Sequence, residues 1–123
     1  MTKILIAEDE PTLNKALAEF LEADGFEVFN VFDGSEVASL AKTKKPDLIL
    51  LDIILPKKDG YEVLDELKAD EKTKKIPVIL LTNLESVENI QKAFDKGVTT
   101  YLVKSNYTLE DVTKKIKETL KNK

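Results

Sequence analysis

The chain is 123 residues long, 42% hydrophobic and 34% charged, and holds four glycines, four prolines, one methionine and no cysteine, histidine or tryptophan. A chain of this length folds as one domain that buries roughly two-thirds of its extended surface, enough for a single core. The missing residue types exclude disulfides, thiolate nucleophiles, zinc–thiolate sites and imidazole chemistry, so proton transfer and metal binding fall to carboxylates, lysines, tyrosines and hydroxyls. All 19 basic residues are lysine, set against 23 acids for a net charge of −4. Without arginine or a basic excess, direct nucleic-acid binding is not expected. No apolar run reaches bilayer length and the N-terminus lacks a signal-peptide core, so a soluble cytoplasmic domain is the expectation, with no membrane partner.

Lys3–Ala7 reads as a first strand, closed by the acids Glu8, Asp9 and Glu10. Pro11 suits a first helical turn, and Leu13, Ala16, Leu17, Phe20 and Leu21 recur at helical spacing until Gly25. Phe26–Val31 alternates as a strand, and Val37, Leu40 and Ala41 mark a short helix that Pro46 closes. A nearly unbroken apolar run, 47–52, ends on Asp52, and a turn from Pro56 to Gly60 leads to a third helix carrying Val63, Leu64 and Leu67. The strand 77–82 ends on Thr82, and Val87, Ile90 and Phe94 mark a fourth helix that stops at Gly97. Thr99–Val103 is the last strand, followed by Lys104 and a helix with Leu109, Val112, Ile116 and Leu120, its end frayed over 121–123. The leucine, valine and phenylalanine stripes on these helices read as core. Continuous apolar strands alternating with helices imply a parallel sheet covered on both faces, and right-handed crossovers make it doubly wound.

Ligands of such sheets bind beyond the carboxyl ends of the strands. Those ends carry Glu8 and Asp9, Asp52, Thr82 and Lys104. Two like charges about 4 Å apart repel by roughly 4 kcal/mol at an effective dielectric near 20. Three carboxylates in one cleft therefore raise their own pKa values or bind a cation. With only hard oxygen ligands the cation is Mg²⁺, with Mn²⁺ and Ca²⁺ as the other choices. A lysine and a hydroxyl beside a metal-bound carboxylate suit a phosphoryl group, and the carboxylate is then a nucleophile that forms an aspartyl phosphate. Asp52 follows four apolar residues, and an unpaired buried carboxylate is costly without a purpose.

The set Glu8-Asp9, Leu51-Asp52-Ile53-Ile54-Leu55-Pro56 with Gly60, Leu81-Thr82 and Lys104 resembles the response-regulator receiver domain of two-component signalling, of the single-domain chemotaxis-regulator kind. The likeness runs over the whole chain, so residues 1–123 are expected to form one receiver domain. It implies a five-stranded flavodoxin-like sheet of order 2-1-3-4-5 with five helices. It further implies Asp52 as phosphoacceptor, Asp9 and Asp52 as Mg²⁺ ligands with the Ile54 backbone carbonyl, and Glu8 acting through a metal-bound water. Lys104 would pair with phosphoryl oxygens, while Thr82 and Tyr101 would form the switch. The phosphoryl donor would be a sensor histidine kinase or a phosphotransfer protein, and a downstream protein would bind the face spanning Ser86 to Leu120. Three positions depart from the family pattern. Glu8 stands where aspartate is commoner, Asn83 where a small residue is usual, and Ser105 where proline is usual. The bond before that proline is commonly cis, and cis before a non-proline residue costs about 2.5–4 kcal/mol, which leaves the Lys104–Ser105 isomer open.

Singly, these residues have ordinary readings: acids at a strand end as solvated loop, Thr82 as a helix cap, Lys104 as a surface lysine and Tyr101 as strand packing. The lysines at 42, 44 and 45 and along 114–123 read as solvated faces interleaved with acids. Together the four anchors favour a monomeric phosphoacceptor switch that is not a turnover enzyme on an external substrate, with dimerisation on phosphorylation left open. The rival is a pseudo-receiver of the same fold that binds partners without being phosphorylated. A haloacid-dehalogenase-type phosphatase would need an aspartate where Ile54 stands, and Gly25, Gly34, Gly60 and Gly97 are too dispersed for a P-loop. The chain ends with its fifth helix, so the expectation is a protein that signals by contact alone, or a fragment of a larger regulator.

Overall fold

The computed structural model of the protein describes residues 1–121. Five strands, β1 (Lys3–Ala7), β2 (Glu27–Val31), β3 (Leu48–Leu51), β4 (Val78–Thr82) and β5 (Thr100–Val103), alternate with five helices. The helices are α1 (Pro11–Ala23), α2 (Val37–Lys44), α3 (Gly60–Ala69), α4 (Val87–Asp95) and α5 (Leu109–Lys121). All strand pairs are parallel, in the order β2-β1-β3-β4-β5. This is the doubly wound parallel sheet read from the β–α alternation, in the flavodoxin-like order that the family resemblance implies. Asn122 and Lys123, where fraying was expected, lie outside the described residues, and Lys121 is still helical.

The two-residue period of the strands sorts the core into two halves. Leu5, Ala7, Ile49, Leu51, Val78 and Leu80 point to one face, where Val37 and Ala41 of α2, Val63, Leu64 and Leu67 of α3, and Ala93 of α4 cover them. Ile4, Ile6, Leu48, Leu50, Ile79 and Leu81 point to the other, under Leu17, Ala18 and Leu21 of α1 and Val112 and Ile116 of α5. Burial on both faces is why β1, β3 and β4 read as continuous apolar runs.

Local chemistry sets the helix ends. Pro11 opens α1, its fixed φ and missing N–H suiting a first turn. Asp59 and Glu62 form a reciprocal capping box that starts α3. Between β2 and α2, Asp33 accepts a hydrogen bond from the Ser35 amide and a short 3-10 turn, Gly34–Glu36, precedes the helix, so the second helix begins later than Gly34. Of the lysines on the faces read as solvated, Lys42 pairs with Asp70, Lys114 with Glu110, Lys115 with Glu118, and Lys117 with Asp24. No described helix is long and apolar enough to cross a membrane.

One expectation fails. Val87 of α4 is 80% exposed, and Phe94 of α4 and Phe20 of α1 are also exposed, so the apolar stripes are not core throughout. α4 leads to the edge strand β5 and meets the core through Ala93, which leaves its outer flank uncovered. Its attachment to α3 is polar: the Tyr61 hydroxyl donates to Asn89 Oδ1 at 2.5 Å, Lys92 Nζ lies 4.2 Å from the Tyr61 ring centre, and Lys96 pairs with Asp65 at 2.8 Å. Phe20 falls outside the buried stripe of Leu17, Ala18 and Leu21. Urea unfolding is expected to show Phe94→Ala costing less than about 1 kcal/mol, whereas Leu64→Ala costs about 2–5 kcal/mol by opening a cavity.

Candidate functional site

Sheet register decides what meets at the carboxyl edge. Ala7 of β1 pairs with Leu51 of β3, Leu51 with Leu80 of β4, and Thr82 with Val103 of β5. The residue after each of β1, β3 and β5 is therefore Glu8, Asp52 or Lys104, and all three leave the sheet at the same edge. The Asp52 amide continues the ladder by donating to the Ala7 carbonyl at 3.1 Å.

Lys104 joins the set. Its ammonium lies 2.7 Å from Glu8 Oε1 and 2.7 Å from Asp52 Oδ2. Glu8 Oε2 accepts from the Glu10 amide at 3.0 Å, and Asp52 Oδ1 accepts from the Ile54 amide at 3.2 Å. Glu8 is 2% and Asp52 4% exposed, while Asp9 is exposed. Oxygens of Glu8, Asp9 and Asp52 all lie within 4.8 Å of one another. Three carboxylates against one ammonium leave two negative charges uncompensated, and the donor set is all oxygen, so the residues present fit a hard divalent cation.

Burial is the largest influence on Glu8 and raises its carboxyl pKa, against hydrogen bonds from Lys104 and the Glu10 amide that lower it. Burial also opposes the charge on Lys104, but the hydrogen bonds to Asp52 and Glu8 outweigh it and the pKa rises. Lys104 thus stays protonated between two carboxylates.

Thr82 is buried at the end of β4, and its Oγ1 accepts a long hydrogen bond, 3.5 Å, from the Leu84 amide. The Tyr101 hydroxyl donates to the Leu84 carbonyl at 2.7 Å. Leu84 thereby links the two residues expected to form the switch. Tyr101 packs against the α2–α4 side of the core, so the aromatic is both packing and tether. Ile54 brings its N–H to Asp52 and leaves its side chain exposed. Among the described residues no peptide bond is cis, so Lys104–Ser105 is trans and Lys104–Asn106 forms a short 3-10 turn.

Two glycines let the loops close on the site. A Cβ on Gly60 would sit 2.6 Å from the Asp52 carbonyl oxygen and from Ile53 Cα, and one on Gly34 would sit 1.7 Å from the Lys58 carbonyl oxygen. Only a residue without a side chain fits either place. Asn14 was missed by the sequence reading. It lies on the buried stripe of α1, wholly buried, and its Nδ2 donates to the Glu8 carbonyl at 2.8 Å and the Val31 carbonyl at 3.1 Å. A lone asparagine in step with Leu17, Ala18 and Leu21 was the signal that could have revealed it.

Removing the charge of Lys104 strands two buried carboxylates. Lys104→Met is expected to lose about 3 kcal/mol of unfolding free energy near pH 8. A buried acid with a raised native pKa binds more protons folded than unfolded, so its native state gains stability as pH falls. The deficit of the variant should therefore shrink towards pH 5 in urea titrations run across that range.

The response regulator receiver domain matches residues 4–117. The chain is 36% identical over 121 residues to the DNA-binding dual master transcriptional regulator RpaA of Synechocystis, covering 98% of this chain and 50% of that one. It is 40% identical over 121 residues to the transcriptional regulatory protein CiaR of Streptococcus pneumoniae, covering 98% and 52%. It thus spans about half the length of these curated relatives. Among solved structures, a CheY-like receiver domain from Methanospirillum hungatei superposes with a TM-score of 0.90 at 29% identity, over 99% of this chain and 95% of that one. The BeF3-activated receiver domain of RstA from Klebsiella pneumoniae gives 0.88 at 28% identity, over 97% and 98%. A sensor histidine kinase receiver domain from Pseudomonas aeruginosa, with a magnesium ion in its active-site cleft, gives 0.87 at 27%, over 97% of each chain. The fold, the acidic edge and these matches together establish that the chain belongs to the response-regulator receiver family of two-component systems.

Proposed function

We propose that this receiver is a Mg²⁺-dependent phosphoacceptor switch in which Asp52 takes a phosphoryl group from a phosphohistidine on a partner kinase or phosphotransfer protein. The observation that supports it most is the shared ammonium: Lys104 contacts both Glu8 and Asp52 at 2.7 Å, a buried cluster of opposite charges at the carboxyl edge where ligands of such sheets bind. Asp9, Asp52 and the Ile54 carbonyl would hold Mg²⁺, with Glu8 acting through a bound water. Mg²⁺ would supply charge neutralisation for an in-line transfer. The donor imidazole belongs to the partner, since this chain has no histidine.

The residues around Asp52 have work in that transfer. The Ile54 N–H orients Asp52 Oδ1, and Lys104, already on Oδ2, is placed to meet phosphoryl oxygens. The Thr82 hydroxyl would turn from the Leu84 amide to the phosphoryl group. That change loosens the segment to which Tyr101 is tied through the Leu84 carbonyl. Tyr101 would then move towards the space left by Thr82, and the face of α4, β5 and α5 would present a different surface to a downstream protein. This is a shift between two packings that both exist beforehand. The domain catalyses its own phosphorylation and dephosphorylation and turns over no other substrate.

Asp52→Asn is expected to abolish incorporation of labelled phosphoryl from an acyl phosphate in Mg²⁺, and EDTA should abolish it in the parent protein. Stoichiometric labelling of the variant would refute Asp52 as the acceptor, and a parent protein that takes up no label would leave the pseudo-receiver reading. The apolar side chains of Ile54 and Leu84 would hinder the hydrolytic water. Ile54→Asn and Leu84→Glu are expected to speed loss of the phosphoryl group several-fold, measured as decay of the label after removal of the donor.

A further inference from the structure

Asn14 lies one turn into α1, yet its bonds go to the strand ends that carry the acids. Its two Nδ2 protons go to different strands, one to the carbonyl of Glu8 and one to the carbonyl of Val31 at the end of β2. Its Oδ1 accepts from Nδ2 of the exposed Asn30. The Val31 carbonyl also accepts from the Glu8 amide at 3.1 Å, and the Asn14 amide donates to the Glu10 carbonyl at 2.9 Å. The Glu8 peptide is thus pinned on its N–H side by β2 and on its carbonyl side by α1.

That pinning matters most for the next residue. Among the described residues, the Asp9 carboxylate has no hydrogen bond or ion pair of its own. Its direction follows from the backbone on either side, which is held at Glu8 and Glu10. An apolar residue at position 14 would keep α1 packed on the sheet but leave the Glu8 carbonyl without its bond from α1. Partners one step behind a metal ligand commonly change metal affinity by about 10- to 100-fold when removed.

We propose that Asn14 is a positioning residue for the divalent-cation site: it clamps the Glu8 peptide to β2 and α1, and so holds the carboxylates of Glu8 and Asp9 where a cation can bridge them to Asp52. The proposal rests on reading the acidic edge as a Mg²⁺ site. A purely structural asparagine would affect stability alone, so the test separates the two.

The experiment titrates the full chain with Mg²⁺ and follows amide NMR shifts, alongside hydrogen exchange in metal-free protein and urea unfolding. Asn14→Leu is expected to weaken Mg²⁺ binding about tenfold and, with no metal present, to speed exchange of the Glu8 and Glu10 amides. Leu17→Ala removes core packing from the same helix without touching the Glu8 carbonyl. It should lower the unfolding midpoint while changing Mg²⁺ affinity by less than about twofold. Unchanged affinity in folded Asn14→Leu, or an equal loss in Leu17→Ala, overturns the proposal. If Asn14→Leu does not fold, Asn14→Ala decides, since it removes both Nδ2 bonds, to the Glu8 and Val31 carbonyls, with a smaller side chain. About tenfold weaker binding with faster Glu10 exchange supports the clamp, and parent-like behaviour overturns it. A parent protein that binds no Mg²⁺ would sink the reading of the edge itself, and unchanged exchange at Glu8 and Glu10 in Asn14→Leu would separately sink the clamp.

Discussion

A single ammonium holds the acidic edge together. Glu8 and Asp52 are both buried, both carry oxygens at 2.7 Å from Lys104 Nζ, and both end strands adjacent in the sheet. Without that cation between them, the ends of β1 and β3 would repel in a medium that screens charge poorly. Lys104 comes from the end of β5, two strands beyond β3. The contact therefore spans four of the five strands, from β1 across β3 and β4 to β5, and needs those four to be paired. Its strength and its incompleteness serve the same end: one positive charge steadies the edge, and the remaining negative charge asks for a dication.

The parallel sheet makes this possible. In a parallel arrangement every strand ends on the same side, so residues at positions 8, 52, 82 and 104, far apart along the chain, are delivered to one edge by topology alone. The loops then need room to approach. Gly34 against the Lys58 carbonyl and Gly60 against the Asp52 carbonyl supply it, and Gly60 also donates to the Ile53 carbonyl at 2.7 Å. The β3–α3 turn is thus drawn tightly under Asp52, and the capping box of Asp59 and Glu62 begins the next helix immediately.

Much of this could be read from the sequence because the informative residues are chemically out of place. Asp52 at the end of an apolar run, and Lys104 after an apolar strand, stand out against their neighbours, and the doubly wound sheet follows from β–α alternation. The parts not legible depend on things a one-dimensional pattern lacks. Helical spacing marks Val87 and Phe94 as core, but spacing does not report that α4 lies over the sheet margin with nothing outside it. Asn14 sits within a stripe of leucine and alanine, and its partners, the carbonyls of Glu8 and Val31, belong to a backbone whose path is unknown until folded. The need for glycine at position 34 arises where two loops meet, and neither loop announces the other.

α4 differs from its fellow helices in how it is held. Ala93 is its one buried residue, and its links to α3 run through a phenol, an amide, an ammonium and a carboxylate at the surface. α1 and α3 are secured instead by several large aliphatic side chains each. Relocating α4 therefore sacrifices little oily contact, and the rest of the molecule need not melt for it to shift. Such a loosely moored helix also lets its outward flank diverge in composition with small consequence for folding, while the charged edge stays as it is.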